Sequence, residues 1–152
     1  MFRFPCADIK IMDFVGTASG MLNLKMHVLV VDDYSVIRKI ICNSLKKIGF
    51  ENIHAAENGT EALTILQDID IGLVITDWTM PHMSGLELLQ EIRNAPRTQD
   101  IPVIILTGEC QAENIVAAVK SHVDNYVVKP FTAEVLKEKI SSVFMKRGSK
   151  SQ

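Results

Sequence analysis

Residues 71–80 read IGLVITDWTM: a nearly continuous apolar run, 71–76, that stops at a carboxylate, Asp77. A strand covered on both faces needs such a run, whereas a strand with one wet face alternates. A second run, VIIL at 103–106, has the same character. Together the two predict the interior of a parallel sheet with helices on both sides. Working outward, His27–Val31, Asn52–Ala56 and Asn125–Val128 supply three further short strands rich in β-branched and apolar residues.

Helical spacing fills the gaps. Val36, Ile40, Leu45 and Ile48 recur at that spacing, as do Ala62 with Leu66, Leu88 with Ile92, and Ile115 with Val119. Val135 and Lys139, flanked by Leu136 and Ile140, mark a fifth helix. Gly49 stands where the first helix should stop, and Pro96 and Pro102 bracket a polar loop. Five strands alternating with five helices predict an α/β, doubly wound parallel sheet.

Composition bounds the rest. The 152 residues suffice for one domain with a core, and the net charge of -2 offers no footprint for nucleic acid. Cys6, Cys42 and Cys110 are odd in number and lack metal-ligand spacing, which suits free thiols in the cytoplasm. No apolar run approaches the ~20 residues of a membrane span, and Asp8, Lys10 and Asp13 break any signal-peptide pattern near the N-terminus. Residues 1–25 show no sustained periodicity and are expected to form an N-terminal extension, disordered, acting as a docking arm, or preceding a true start at Met21 or Met26. The domain is expected over 26–146, with a polar tail at 147–152.

The unusual polar residues fall at one place in this architecture. Asp32 and Asp33 follow the first of the five strands, Asp77 the third, Thr107 the fourth and Lys129 the fifth. In an open doubly wound sheet, the carboxyl ends of the strands carry the binding crevice. Taken singly, the Asp pair reads as a helix cap, Thr107 as a strand end and Lys129 as a solvated lysine. Taken together, they read as a site. Three clustered carboxylates need a cation, and an all-oxygen cluster without His or Cys suits Mg²⁺. A carboxylate is also a nucleophile toward phosphorus when the phosphoryl charge is stabilised, here by Mg²⁺, Lys129, the Thr107 hydroxyl and backbone N–H groups.

At these residues the chain resembles the receiver domains of response regulators: VVDD at 30–33, TDWTMPHMSG at 76–85, LTGE at 106–109 and YVVKPF at 126–131. It is most similar to the single-domain chemotaxis regulators, through Asp77 with Trp78, GLELL at 85–89, ENI at 113–115 and KPFT at 129–132. The resemblance covers nearly everything after Met26. It implies a flavodoxin-like strand order of 2-1-3-4-5. It also implies that Asp77 is the phosphoacceptor, and that Asp33, Asp77 and the Thr79 backbone carbonyl hold Mg²⁺, with Asp32 acting mainly through metal-bound water. Lys129 would contact the phosphoryl group, and Thr107 with Tyr126 would form a switch pair.

The implied partners are a histidine kinase, a chemotaxis kinase by the same resemblance, a flagellar motor switch protein and a phosphatase, with the chain itself monomeric. Three departures stand out. Thr79 replaces an amide of similar chains and, with Glu109, borders the path of a hydrolytic water. SHVD at 121–124 occupies a turn usually built of small residues and glycine, which predicts a left-handed His122 or a different helix end. Ala112 stands where a lysine meets the target in some relatives.

Other readings use the same residues. A phosphorelay intermediate or kinase adaptor keeps the chemistry and changes the partner. A phosphatase turning over through an aspartyl phosphate needs a second acidic group where Thr79 stands, and a cap domain. A flavodoxin-like cofactor binder is disfavoured because the adjacent aspartates of the first loop repel an anion.

Overall fold

The structure is a computed structural model, describing residues 14–17, 20–108 and 112–150. Two strands, β1 (Phe14–Thr17) and β2 (Gly20–Asn23), pair antiparallel as a separate two-stranded sheet. The main sheet is built of β3 (His27–Val31), β4 (Asn52–Ala56), β5 (Ile71–Asp77), β6 (Val103–Thr107) and β7 (Asn125–Val128). All its pairs are parallel, in the order β4-β3-β5-β6-β7. Counted from β3, this is the expected 2-1-3-4-5, a five-stranded doubly wound α/β fold. The helices are α1 (Ser35–Ile48), α2 (Gly59–Asp68), α3 (Gly85–Asn94), α4 (Ala112–Lys120) and α5 (Ala133–Lys150).

Strand alternation divides the apolar residues into two cores. Val28 and Val30 of β3 join Leu73, Ile75, Ile104 and Leu106 beneath α1 and α5, against Ile41, Leu45, Leu136 and Ile140. Leu29 and Val31 join Val74, Val103 and Ile105 on the other side, against Leu66, Leu88, Leu89, Ile92 and Ala118. Both faces of β5 and β6 are therefore covered, which is why their sequences read as unbroken apolar runs.

Element ends follow local chemistry. Gly49, at φ 123°, ends α1 and donates its N–H to the Leu45 carbonyl. Ser84 and Glu87 close a capping box on α3. After α4, Val123 donates to the Ala118 carbonyl around His122, whose φ of 64° is the left-handed conformation that the SHVD turn predicts.

Two expectations are corrected. Within residues 1–25, read as lacking periodicity, β1 and β2 pair antiparallel. Leu22 and Leu24 are buried in the core beneath α1 and α5, with β2 packed on α5. The stretch from 147 is not simply a tail: α5 runs on to Lys150, and Arg147 is tied to Asp124. Local pattern failed here because each segment is ordered by a partner distant in sequence. Cys6, Cys110 and Glu109 lie outside the described residues.

Candidate functional site

The parallel ladder brings the carboxyl ends of β3, β5, β6 and β7 to one edge. Asp32 continues the line of β3, donating its N–H to the Ala56 carbonyl at 3.1 Å. Asp77 closes β5 opposite Leu106, the Trp78 N–H donates to the Leu106 carbonyl at 2.8 Å, and the Lys129 N–H donates to the Thr107 carbonyl at 2.8 Å. Backbone hydrogen bonds thus bring Asp77, Thr107 and Lys129 side by side.

One carboxylate oxygen from each of Asp32, Asp33 and Asp77 lies within 4.8 Å of the others. Asp32 and Asp77 are buried and Asp33 is half-buried. Lys129 Nζ donates to Asp77 Oδ1 at 2.7 Å and stands 3.8 Å from Asp32 Oδ2. Burial pushes the Asp32 carboxyl above the ordinary carboxylate range. The Tyr34 N–H opposes that shift, the Asp77 and Asp33 charges add to it, and Lys129 counters it.

Asp32 Oδ2 and Asp33 Oδ1 are buried without a hydrogen-bond partner among the described residues. Orphaned buried oxygens are costly, and a cation drawn to three carboxylates would satisfy both. The donor set is oxygen alone, so the residues fit a hard divalent cation.

Gly85 follows from the same geometry. Its N–H donates to the Trp78 carbonyl at 2.8 Å, and a Cβ there would meet the Asp77 carbonyl oxygen at 2.1 Å. Only glycine lets α3 begin so close to the end of β5. Thr107 is buried at the end of β6. Tyr126, half-buried, pairs in register with Ile105, two residues before Thr107. Lys139 Nζ lies 5.5 Å from the Tyr126 ring centroid. Thr79 is exposed two residues beyond Asp77. Asp32, Asp33, Asp77, Thr107 and Lys129 therefore converge at one edge of the sheet.

The sequence did not single out Arg38, whose Nη1 donates to the Asp32 carbonyl at 2.7 Å. A basic residue one turn after an Asp-Asp pair was the only available signal. Nor did it single out Asp124, which accepts from Arg93 Nη2 at 2.8 Å, Arg147 Nε at 2.8 Å and the Val103 N–H at 2.8 Å.

The comparisons agree with this architecture. The Chemotaxis protein CheY-3 of Vibrio cholerae is 43% identical over 125 residues, spanning 82% of this chain and 96% of that one. The Chemotaxis protein CheY of Pseudomonas aeruginosa is 44% identical over 119 residues, spanning 78% and 96%. Among solved structures, the Vibrio cholerae chemotaxis protein CheY4 superposes with a TM-score of 0.74 at 29% identity, covering 78% of this chain and 98% of its own. A response regulator receiver domain protein of Clostridium thermocellum gives 0.73 at 34%, covering 84% and 99%. The family model for the response regulator receiver domain matches residues 28–141, from the second residue of β3 into α5. That span contains all of the second core, most of the first and every residue of the acidic edge, and on this match the chain belongs to the response regulator receiver domain family.

Proposed function

We propose that the chain is a receiver-domain phosphoacceptor that carries a signal from a histidine kinase to a protein target by phosphorylation of Asp77. The observation that carries the reading is the 2.7 Å contact between Lys129 Nζ and Asp77 Oδ1 beside two buried carboxylate oxygens without a hydrogen-bond partner among the described residues. Asp33 and Asp77 would hold Mg²⁺, with the Thr79 carbonyl, and Asp32 would act through metal-bound water. When bound, Mg²⁺ supplies positive charge against the phosphoryl oxygens and offsets the repulsion among the carboxylates.

Asp77 attacks the phosphorus of the donor phosphohistidine. A P–O bond forms, the P–N bond breaks, and the imidazole keeps the electron pair. Lys129, already on Asp77, follows the charge onto the phosphoryl group, and the buried Thr107 hydroxyl donates to it. Movement of Thr107 then biases the packing of Tyr126 on β7. The face formed by α4, β7 and α5 thereby changes its affinity for a target.

The relatives are named as chemotaxis proteins, and on that similarity the target is the flagellar motor switch in the cytoplasm. The kinase is then a chemotaxis kinase and the signal is cleared with the help of a phosphatase. No helix among the described residues is long and apolar enough to cross a membrane.

Acetyl phosphate with Mg²⁺ is expected to add one hydroxylamine-labile phosphoryl group to the wild type, detected by intact mass, and none to Asp77→Asn. Incorporation by the Asp77→Asn variant would refute the acceptor assignment. Binding to a motor switch protein, measured with and without an acylphosphate analogue, tests the output. No binding in either state would sink the chemotaxis reading and leave a phosphorelay intermediate or adaptor.

A further inference from the structure

The segment joining β3 to α1 carries two of the acidic residues, yet backbone pairing with the sheet ends at Asp32. Its N–H still donates to Ala56 on β4, and the chain then leaves the sheet. From there side-chain contacts take over. The Tyr34 N–H donates to Asp32 Oδ1 at 2.9 Å, and Arg38 Nη1 donates to the Asp32 carbonyl at 2.7 Å. Arg38 is half-buried on the first turn of α1, its own N–H donating to the Tyr34 carbonyl at 2.9 Å.

The Asp32 carbonyl belongs to the peptide unit that contains the Asp33 N–H. That unit is planar, so fixing its oxygen fixes the direction in which the Asp33 N and Cα depart. Asp33 Oδ1 ends buried and without a hydrogen bond among the described residues, beside Asp32 and Asp77. An unsatisfied carboxylate left to itself would rotate toward solvent. We propose that Arg38 is a positioning residue for the cation site, its guanidinium holding the Asp32-Asp33 peptide so that the Asp33 carboxylate is aimed into the acidic cluster. The inference rests on the reading of that cluster as a Mg²⁺ site.

The sign of the effect separates positioning from plain electrostatics. A fixed positive charge near the cluster repels an incoming cation, so loss of the charge alone would tighten Mg²⁺ binding. Loss of the hydrogen bond frees the peptide and loosens binding. The test is Mg²⁺ titration of wild type, Arg38→Met, Arg38→Gln, Arg38→Lys and Asp33→Asn, followed by Trp78 fluorescence and checked by calorimetry. Far-UV circular dichroism and thermal melts in EDTA establish that each variant is folded.

Arg38→Met is expected to bind Mg²⁺ roughly tenfold more weakly, as for other residues that orient metal ligands. Arg38→Lys, which keeps a donor on a long stem, should recover part of the loss. Binding by Arg38→Met equal to or tighter than wild type overturns the proposal while the Mg²⁺ reading stands. Should Arg38→Met fail to fold, Arg38→Gln carries the comparison: weaker binding supports positioning, and equal or tighter binding overturns it. Absence of Mg²⁺ binding by the wild type overturns the cation reading and this proposal with it.

Discussion

Asp33 shows what the site costs the fold. Its Oδ1 is buried without a hydrogen-bond partner among the described residues, next to two other carboxylates, and Lys129 lies on Asp77 and Asp32 rather than on it. Asp33→Asn removes one of three like charges at nearly constant shape. In EDTA it is expected to stabilise the protein by about 1 kcal/mol, raising Tm by about 4 °C, while the Mg²⁺ response is lost. A melt in EDTA that shows Asp33→Asn less stable than wild type would contradict this account.

A second residue-scale prediction concerns His54. Its Nε2 lies 2.8 Å from His27 Nδ1, and burial, then the His27 charge, lowers its pKa from the ordinary 6.5. The folded state therefore binds fewer protons than the unfolded state as pH falls through that range. Stability is full above the unfolded value and is lost below it, down to the folded pKa. The raised Asp32 works oppositely, regaining stability as it protonates at lower pH. Thermal melts between about pH 7.5 and pH 5.5 should show a decline in the wild type that is reduced in His54→Gln. An equal slope in both would reject the assignment to His54.

At the scale of elements, legibility followed coverage. The five main strands could be read because β5 and β6 are apolar on both faces, and the aspartates and Lys129 could be read because each ends or follows one of those strands. The antiparallel pair of β1 and β2 could not. Its hold on the core comes from Leu22 and, just beyond β2, Leu24, two side chains in a short stretch, and the α1 and α5 residues of the same core are remote in sequence. Arg38 was equally hidden, since a bond to a backbone carbonyl leaves no periodic trace. The edge is nonetheless integral to packing: Leu24 is 4% exposed, and its carbonyl accepts the Glu51 N–H at 3.2 Å. Leu24→Ala should cost about 2 to 3 kcal/mol in urea unfolding, and a chain begun at Met26 should lose more. Unchanged unfolding midpoints in both would show that residues 20–25 contribute nothing to the domain.

The whole molecule divides its energetics between the two ends of the sheet. At the carboxyl ends, three carboxylates crowd together, two of their buried oxygens without a hydrogen-bond partner among the described residues. At the amino ends, Asp124 gathers α3, β6 and α5 through Arg93, the Val103 N–H and Arg147, while Arg93 also donates to the His122, Gln99 and Ile101 carbonyls. The Arg93 and Asp124 side chains are 12% and 15% exposed, so breaking the pair strands buried charge. Asp124→Ala should destabilise the protein by about 3 kcal/mol, with Mg²⁺ affinity and Asp77 phosphorylation unchanged in the folded fraction. Because Asp33 and Asp124 stand at opposite ends of the sheet, the Asp33→Asn and Asp124→Ala effects should add to within about 0.5 kcal/mol. A larger coupling, measured by a double-mutant cycle in urea, would mean that the acidic edge and the arginine cluster are parts of one strained network. The amino-terminal end of the sheet would then contribute to the switch as well as to the fold.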